Sequence, residues 1–140
     1  MRGRRFLLTA VLLFVIAIAW NAVLHLVLLA KVNASVRHLY RADLPEKMWL
    51  SLLLTAGIVV LFVYGHQRFV RSSSVIEGAS YGLFFALAAG LLVDLNQYVL
   101  YPIPIGVAAL WFAGGLVEFT LYGMLTSKLL TQPTRCPGPA

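Results

Sequence analysis

Gly78–Asp94 reads GASYGLFFALAAGLLVD and carries a four-residue repeat of small side chains that ends in an acid. The repeat positions are Gly78, Gly82, Ala86, Gly90 and Asp94. Residues four apart share one face of an α-helix, and a row of small residues lets a second helix approach closely. We therefore expect a hydrophobic helix with a smooth packing face and one carboxylate at its end.

The 140-residue chain has too few charged side chains to cover a surface that faces water. Only 11% of its residues are charged and 61% are hydrophobic, whereas a soluble domain has roughly 25% charged residues. The mean hydropathy is +0.87. This composition predicts an integral membrane protein with one polytopic domain. Cys136 is the only cysteine, so an internal disulfide or a thiolate metal cluster has no support.

Four apolar runs are long enough to cross a bilayer. Within a membrane domain at residues 1–131, the predicted spans are residues 6–30, 47–66, 75–99 and 104–130. Ala17–Ala19 resembles a signal-peptide cleavage site, but the first apolar run continues well past it, which favours a span. Residues 132–140 contain three prolines and are expected to form a flexible tail.

The connections between the runs indicate how the helices follow one another. Ser74 and Glu77 form a capping box, which predicts that the third helix begins there. Tyr101–Pro104 is so short a connection that the third and fourth helices must be antiparallel neighbours. Residues 32–41 have apolar side chains at helical spacing, which is consistent either with a helix on the membrane surface or with a solvated loop.

Basic residues predict the orientation. With the N-terminus inside, seven lie on the cytoplasmic side and four outside. The two groups are Arg2, Arg4, Arg5, Arg68, Arg71, Lys128 and Arg135, and Lys31, Arg37, Arg41 and Lys47. We read the net charge of +6 as a topology signal and a source of lipid-headgroup contacts, not as a nucleic-acid site. The predicted fold is all-α: an antiparallel four-helix transmembrane bundle with both termini cytoplasmic.

A polar cluster is predicted inside the membrane from Asn21, His25 and Asp94, with Gln97 as a further candidate. At about 1.5 Å of rise per residue, His25 and Asp94 reach a similar depth. A hydrogen-bonded pair that holds helices together is the first interpretation. A proton or ion relay, a metal site and a site for an external ligand are the alternatives.

A second intramembrane acid, Glu118, lies nearer the middle of the fourth helix. Gly114 and Gly115 precede it by one turn, and Tyr122 follows it by one turn. We expect Glu118 either to be protonated or to bond to Tyr122 or a neighbouring helix. The depth estimate places Glu118 too far inward to meet Asp94 directly.

No complete catalytic set, metal site or cofactor site is predicted. A haem held by two histidines is disfavoured because no pair lies level on facing helices, although His25 with His38 stays open. No Ser–His–Asp set, P-loop or dinucleotide fingerprint is present. The aromatic residues of the outer half favour an interfacial belt, with a ligand-lining pocket as the alternative: Trp20, Tyr98, Tyr101 and Trp111.

Several short motifs resemble a group of small uncharacterised bacterial four-helix membrane proteins. The motifs are Trp20 with His25-Leu26, Tyr40-Arg41, and Glu77-Gly78 with Gly82 and Gly90. The resemblance covers most of the chain and implies four spans in a bacterial inner membrane, but no activity. The chain departs from that pattern at Asp94 and at the Tyr101–Pro104 turn.

The leading functional hypothesis is a non-catalytic accessory or assembly subunit of a larger membrane complex. It rests on the absence of a catalytic set and on rows of small residues in the third and fourth helices, which offer contact surface to other subunits or to a second copy. The alternative is a small oligomeric transporter or proton-conducting protein that uses His25, Asp94 and Glu118. An intramembrane enzyme ranks third.

Overall fold

The computed structural model describes residues 2–71 and 74–130, and every regular element in this part of the chain is a helix. The predicted tail at residues 132–140 lies outside the described residues. Four helices are long and apolar enough to cross a membrane: Gly3–Leu28, Pro45–Phe69, Val75–Leu100 and Ile105–Leu130. The prediction of an all-helical chain with four candidate spans is confirmed.

The first span changes its helical pitch before it ends. It consists of α1 (Arg2–Ala22) and a π-helical segment (Val23–Leu28). The chain turns at Leu29 into the short helix α2 (Ala30–Val36), which passes into one 3₁₀ turn (Arg37–Leu39). The sequence was consistent with either a helix or a loop in this connection. The structure shows that the connection is helical over most of its length.

The other three spans are formed by the four helices α3 to α6, because the third span consists of two helices. A 3₁₀ turn (Pro45–Lys47) leads into α3 (Met48–Phe69), which forms the second span. The third span is divided into α4 (Val75–Leu92) and α5 (Asp94–Leu100). The fourth span is the unbroken helix α6 (Ile105–Leu130).

The two ends of α4 differ in how local sequence defines them. Ser74 caps the first turn, and its hydroxyl accepts a hydrogen bond from the backbone N–H of Ile76 at 3.2 Å. The helix ends at Val93, whose φ of −108° and ψ of −70° separate it from α5. The sequence predicted one continuous helix here. A π-helical segment and a helix break thus interrupt two different spans.

The small residues of α4 are buried in its contact with α6. Gly78, Gly82, Ala86 and Gly90 are all buried. A Cβ atom at Gly78 would collide with the carbonyl oxygen of Gly123, and one at Gly82 with the carbonyl oxygen of Phe119. These collisions mean that the two backbones touch with no side chain between them. From the beginning of α4 toward its end, the α6 residues that it contacts have progressively lower residue numbers.

A compact apolar core forms where α1, α3, α4 and α6 meet. Leu13, Phe62 and Tyr122 are among its buried members. The ring of Phe62 lies 5.1 Å from that of Phe85 in an edge-to-face arrangement, which aromatic pairs prefer. One polar pair is enclosed beside this core: the His66 ring nitrogen Nε2 lies 2.9 Å from the Ser127 hydroxyl.

Much of the helical surface is apolar and exposed on the single chain. Inside the structure, only 17% of an apolar 18-residue window in the second candidate span is buried, and only 11% of such a window in the third. Ile76, Phe84 and Leu92 are each more than two-thirds exposed. Hydrocarbon accepts such faces and water does not, so the four candidate spans indicate a multi-pass membrane protein.

Candidate functional site

A cavity of about 450 Å³ lies among all four spans, and we call it the polar cavity. It receives side chains from every span and from Tyr40 in the first connection. Its polar lining residues are Asn21, His25, Tyr40, Asp94, Gln97, Trp111 and Glu118. The four residues of the predicted cluster therefore border one space, and the second predicted acid, Glu118, borders it as well.

His25 is held by Asn33 rather than by Asp94. The Asn33 amide nitrogen lies 2.9 Å from the His25 carbonyl oxygen and 3.2 Å from the ring nitrogen Nδ1. The Asn33 oxygen accepts from the Trp111 indole N–H at 2.9 Å. Because an indole can only donate, this bond sets the orientation of the amide, and Nδ1 of His25 is then the acceptor. A neutral His25 consequently carries its proton on Nε2.

The turn at Leu29 makes this arrangement possible. It folds α2 back over the end of the first span, so that Asn33 lies beside the ring eight residues before it. No hydrogen bond or ion pair joins His25 to Asp94 within the described part of the chain. The sequence interpretation of a direct pair assumed a straight first helix and did not include a turn that brings Asn33 back to His25.

Glu118 is the centre of a second set of hydrogen bonds. Its oxygen Oε1 accepts from the Asn21 amide nitrogen at 3.0 Å and from the Tyr122 hydroxyl at 2.5 Å. The same Asn21 nitrogen also donates to the Ala17 carbonyl oxygen at 2.9 Å. Asn21 therefore joins the first span to the fourth. The bond between Tyr122 and Glu118 is one of the alternatives that the sequence analysis gave for this acid.

Asp94 stands at the break in the third span without a hydrogen bond or an ion pair to any described residue. Its oxygen Oδ2 lies 3.5 Å from the position a Cβ would take on Gly90 and 3.7 Å from that on Gly115. Side chains lean toward the N-terminus of their own helix, and the contacts of α4 with α6 run in opposite directions. In keeping with these directions, Asp94 and Glu118 border the same polar cavity, and no hydrogen bond joins the two carboxyl groups.

A second cavity, of about 170 Å³, is lined by residues of α1 and α6, and we call it the small cavity. Trp20, Tyr122 and Lys128 are among its lining residues, and Glu118 borders this cavity as well as the polar one. The Trp20 indole N–H is buried without a hydrogen-bond partner in the described ranges. Of the predicted outer aromatics, Trp20 and Trp111 thus line cavities, whereas Tyr98 and Tyr101 are exposed.

Two glycines on α6 serve the site in different ways. Gly114 is buried, and a Cβ there would lie 2.5 Å from Cδ2 of Leu24, so it admits the first span. Gly115 borders the polar cavity near the Asp94 carboxyl. Sequence reasoning missed the roles of Asn33 and Tyr40, because their positions depend on how α2 folds back.

The described residues contain no group of three or more His, Cys, Asp or Glu side chains that could hold a metal ion. A comparison of the chain with protein-family models, curated proteins and solved structures gives no match.

Proposed function

We propose that this protein transports or conducts small cations, protons included, across a membrane. One observation carries the proposal: the polar cavity and the small cavity both border Glu118. Together their lining residues extend from Tyr40, in the connection after the first span, to Lys128, two residues before the C-terminal end of the fourth. A route with one ionisable group between two spaces is an arrangement suited to controlled passage.

The charges around the polar cavity support a cation as the solute. Asp94 and Glu118 line it, and its lining includes no Lys or Arg. Ionisable groups inside a membrane are costly and face a partner, a cavity or a pathway. Neither carboxyl has a cationic partner in the described part of the chain, so a cation or a proton can neutralise them.

The proposal includes an arrangement in the membrane. We propose an antiparallel bundle with both termini on the cytoplasmic side of a bacterial inner membrane. The opposed contacts of α4 and α6 and the distribution of basic residues support it. In this orientation the polar cavity opens toward the outer side and the small cavity toward the cytoplasm.

Flux measurements on the purified protein test the function. The full chain is reconstituted into liposomes, a potassium diffusion potential is imposed with valinomycin, and internal pH is followed with a trapped dye. We expect protons to enter faster than in liposomes without protein. If neither proton flux nor uptake of a small organic cation exceeds that of empty liposomes, the proposal is wrong.

An accessory or assembly subunit stays a second proposal, since large apolar faces of the second and third spans are open to partners as well as lipid. The rows of small residues give this role less support than the sequence suggested. The small residues of α4 and Gly114 already pack against other helices of the same chain. Purification in a mild detergent distinguishes the two proposals. A stoichiometric foreign subunit favours the accessory role, and a homo-oligomer or monomer counts against it.

A further inference from the structure

Three groups beside the polar cavity already use their hydrogen-bond donors within the protein. The Asn21 amide nitrogen donates to the Ala17 carbonyl oxygen and to Oε1 of Glu118. The Tyr122 hydroxyl donates to Glu118, and the Trp111 indole donates to Asn33. These three groups therefore have little donor capacity left for a solute, and the lining donors that remain are the Gln97 amide, the Tyr40 hydroxyl and Nε2 of His25.

Several hydrogen-bond acceptors in the lining of the polar cavity have no donor among the described residues. The Asp94 carboxylate makes no hydrogen bond or ion pair with a described residue, and Glu118 uses Oε1 but not Oε2. The side-chain oxygens of Asn21 and Gln97 likewise accept no bond from the described residues. A polar group in a low-dielectric site is costly unless it is hydrogen-bonded. The free carboxylate oxygens, in a lining without Lys or Arg, can receive a positively charged solute that carries N–H donors.

The size of the polar cavity indicates more than a proton or a single metal ion. About 450 Å³ compares with about 30 Å³ for one water molecule in the liquid, and it lies within the range of small-molecule pockets. Apolar lining residues stand next to the acids: Leu24, Ile58, Ala86, Val93 and Phe119. A solute with a charged donor group and a small hydrocarbon or aromatic part would suit both kinds of lining.

We propose that the polar cavity binds a small organic cation of the guanidinium type, with Asp94 as its principal anion and Gln97 and Glu118 beside it. The proposal rests on the proposed function and names its solute class. A planar guanidinium presents paired N–H groups that match the two oxygens of a carboxylate, which a compact ion or a quaternary ammonium does not. The apolar lining receives the rest of the molecule.

Calorimetric titration of the full chain in lipid nanodiscs tests this assignment with three matched probes. Phenylguanidinium has the charge and the N–H donors, phenylurea has the donors without the charge, and phenyltrimethylammonium has the charge without the donors. We expect phenylguanidinium to bind at least tenfold more tightly than either of the others. Equal binding of phenyltrimethylammonium, or no binding of phenylguanidinium, would overturn the assignment.

Two substitutions locate the site. Asp94→Asn should weaken phenylguanidinium binding at least tenfold, and Asp94→Glu should retain most of it. Asp43→Asn is the control, because Asp43 lies outside the cavity and pairs with Arg41. Size-exclusion chromatography shows whether each variant is folded. Unchanged binding by folded Asp94→Asn would place the ligand elsewhere and refute the proposal.

The outcome separates this inference from the proposed function. Proton flux without phenylguanidinium binding would refute the inference and leave cation conduction in place. Asp94-dependent binding without any flux would establish the site and refute transport.

Discussion

Replacing Gly123 by alanine should lower the temperature at which the detergent-solubilised protein aggregates by about 5–10 °C. A Cβ at this position would collide with the carbonyl oxygen of Gly78 and lie 3.1 Å from the backbone nitrogen of Gly82. The obstructing atoms belong to backbone, so no side chain can rotate away, and α4 must separate from α6. Overpacking of this kind costs about 1–3 kcal/mol, and heating followed by size-exclusion chromatography measures it.

The matched control is Gly57→Ala on α3. A Cβ there meets nothing within 4 Å, while alanine is the better helix former by up to about 1 kcal/mol. We therefore expect Gly57→Ala to be neutral or stabilising. Equal tolerance of both substitutions would mean that α4 and α6 do not touch at Gly123.

Glu118→Gln should reduce proton flux in proteoliposomes at least about tenfold while leaving the fold intact. The glutamine oxygen can still accept from Asn21 and Tyr122, as Oε1 does now. What the variant loses is the ability to bind and release a proton where the two cavities meet. A pH-sensitive dye inside the liposomes measures the rate, and thermal stability in detergent measures the fold.

Glu46→Gln provides the control for this experiment, because Glu46 is an exposed acid in the 3₁₀ turn before α3 and borders neither cavity. Its flux should match that of the unmodified protein. Normal flux in a stable Glu118→Gln protein would remove Glu118 from the pathway and with it the main support for transport.

The sequence predicted the helices because membrane spans depend on local composition. Twenty or so consecutive apolar residues specify a span wherever they occur, and Ser74 marks the beginning of α4 by its own side chain. The row from Gly78 to Gly90 likewise predicted a close helix contact from spacing alone. The break at Val93 was not predicted, since no proline or glycine occupies that position.

The candidate site was predictable in its residues but not in its bonds. Asn21, His25, Asp94 and Gln97 were selected because polar groups avoid lipid, and all four border one cavity. Their partners depend on long-range geometry: Asn33 reaches His25 only because the chain turns at Leu29. That Asp94 and Glu118 border the same cavity likewise depends on how α4, α5 and α6 pack, which the rise per residue does not include.

Accessibility of introduced cysteines would show directly whether two cavities reach opposite faces of the membrane. In a Cys136→Ser background, single cysteines replace Gln97 in the polar cavity, Met124 in the small cavity and Phe84 on the exposed apolar surface. A charged, membrane-impermeant thiol reagent is applied to each side of sealed vesicles in turn. We expect Gln97→Cys to react from one side only, Met124→Cys from the opposite side only, and Phe84→Cys from neither. Reaction of both cavity cysteines from the same side, or of neither above the Phe84→Cys rate, would contradict a route through Glu118.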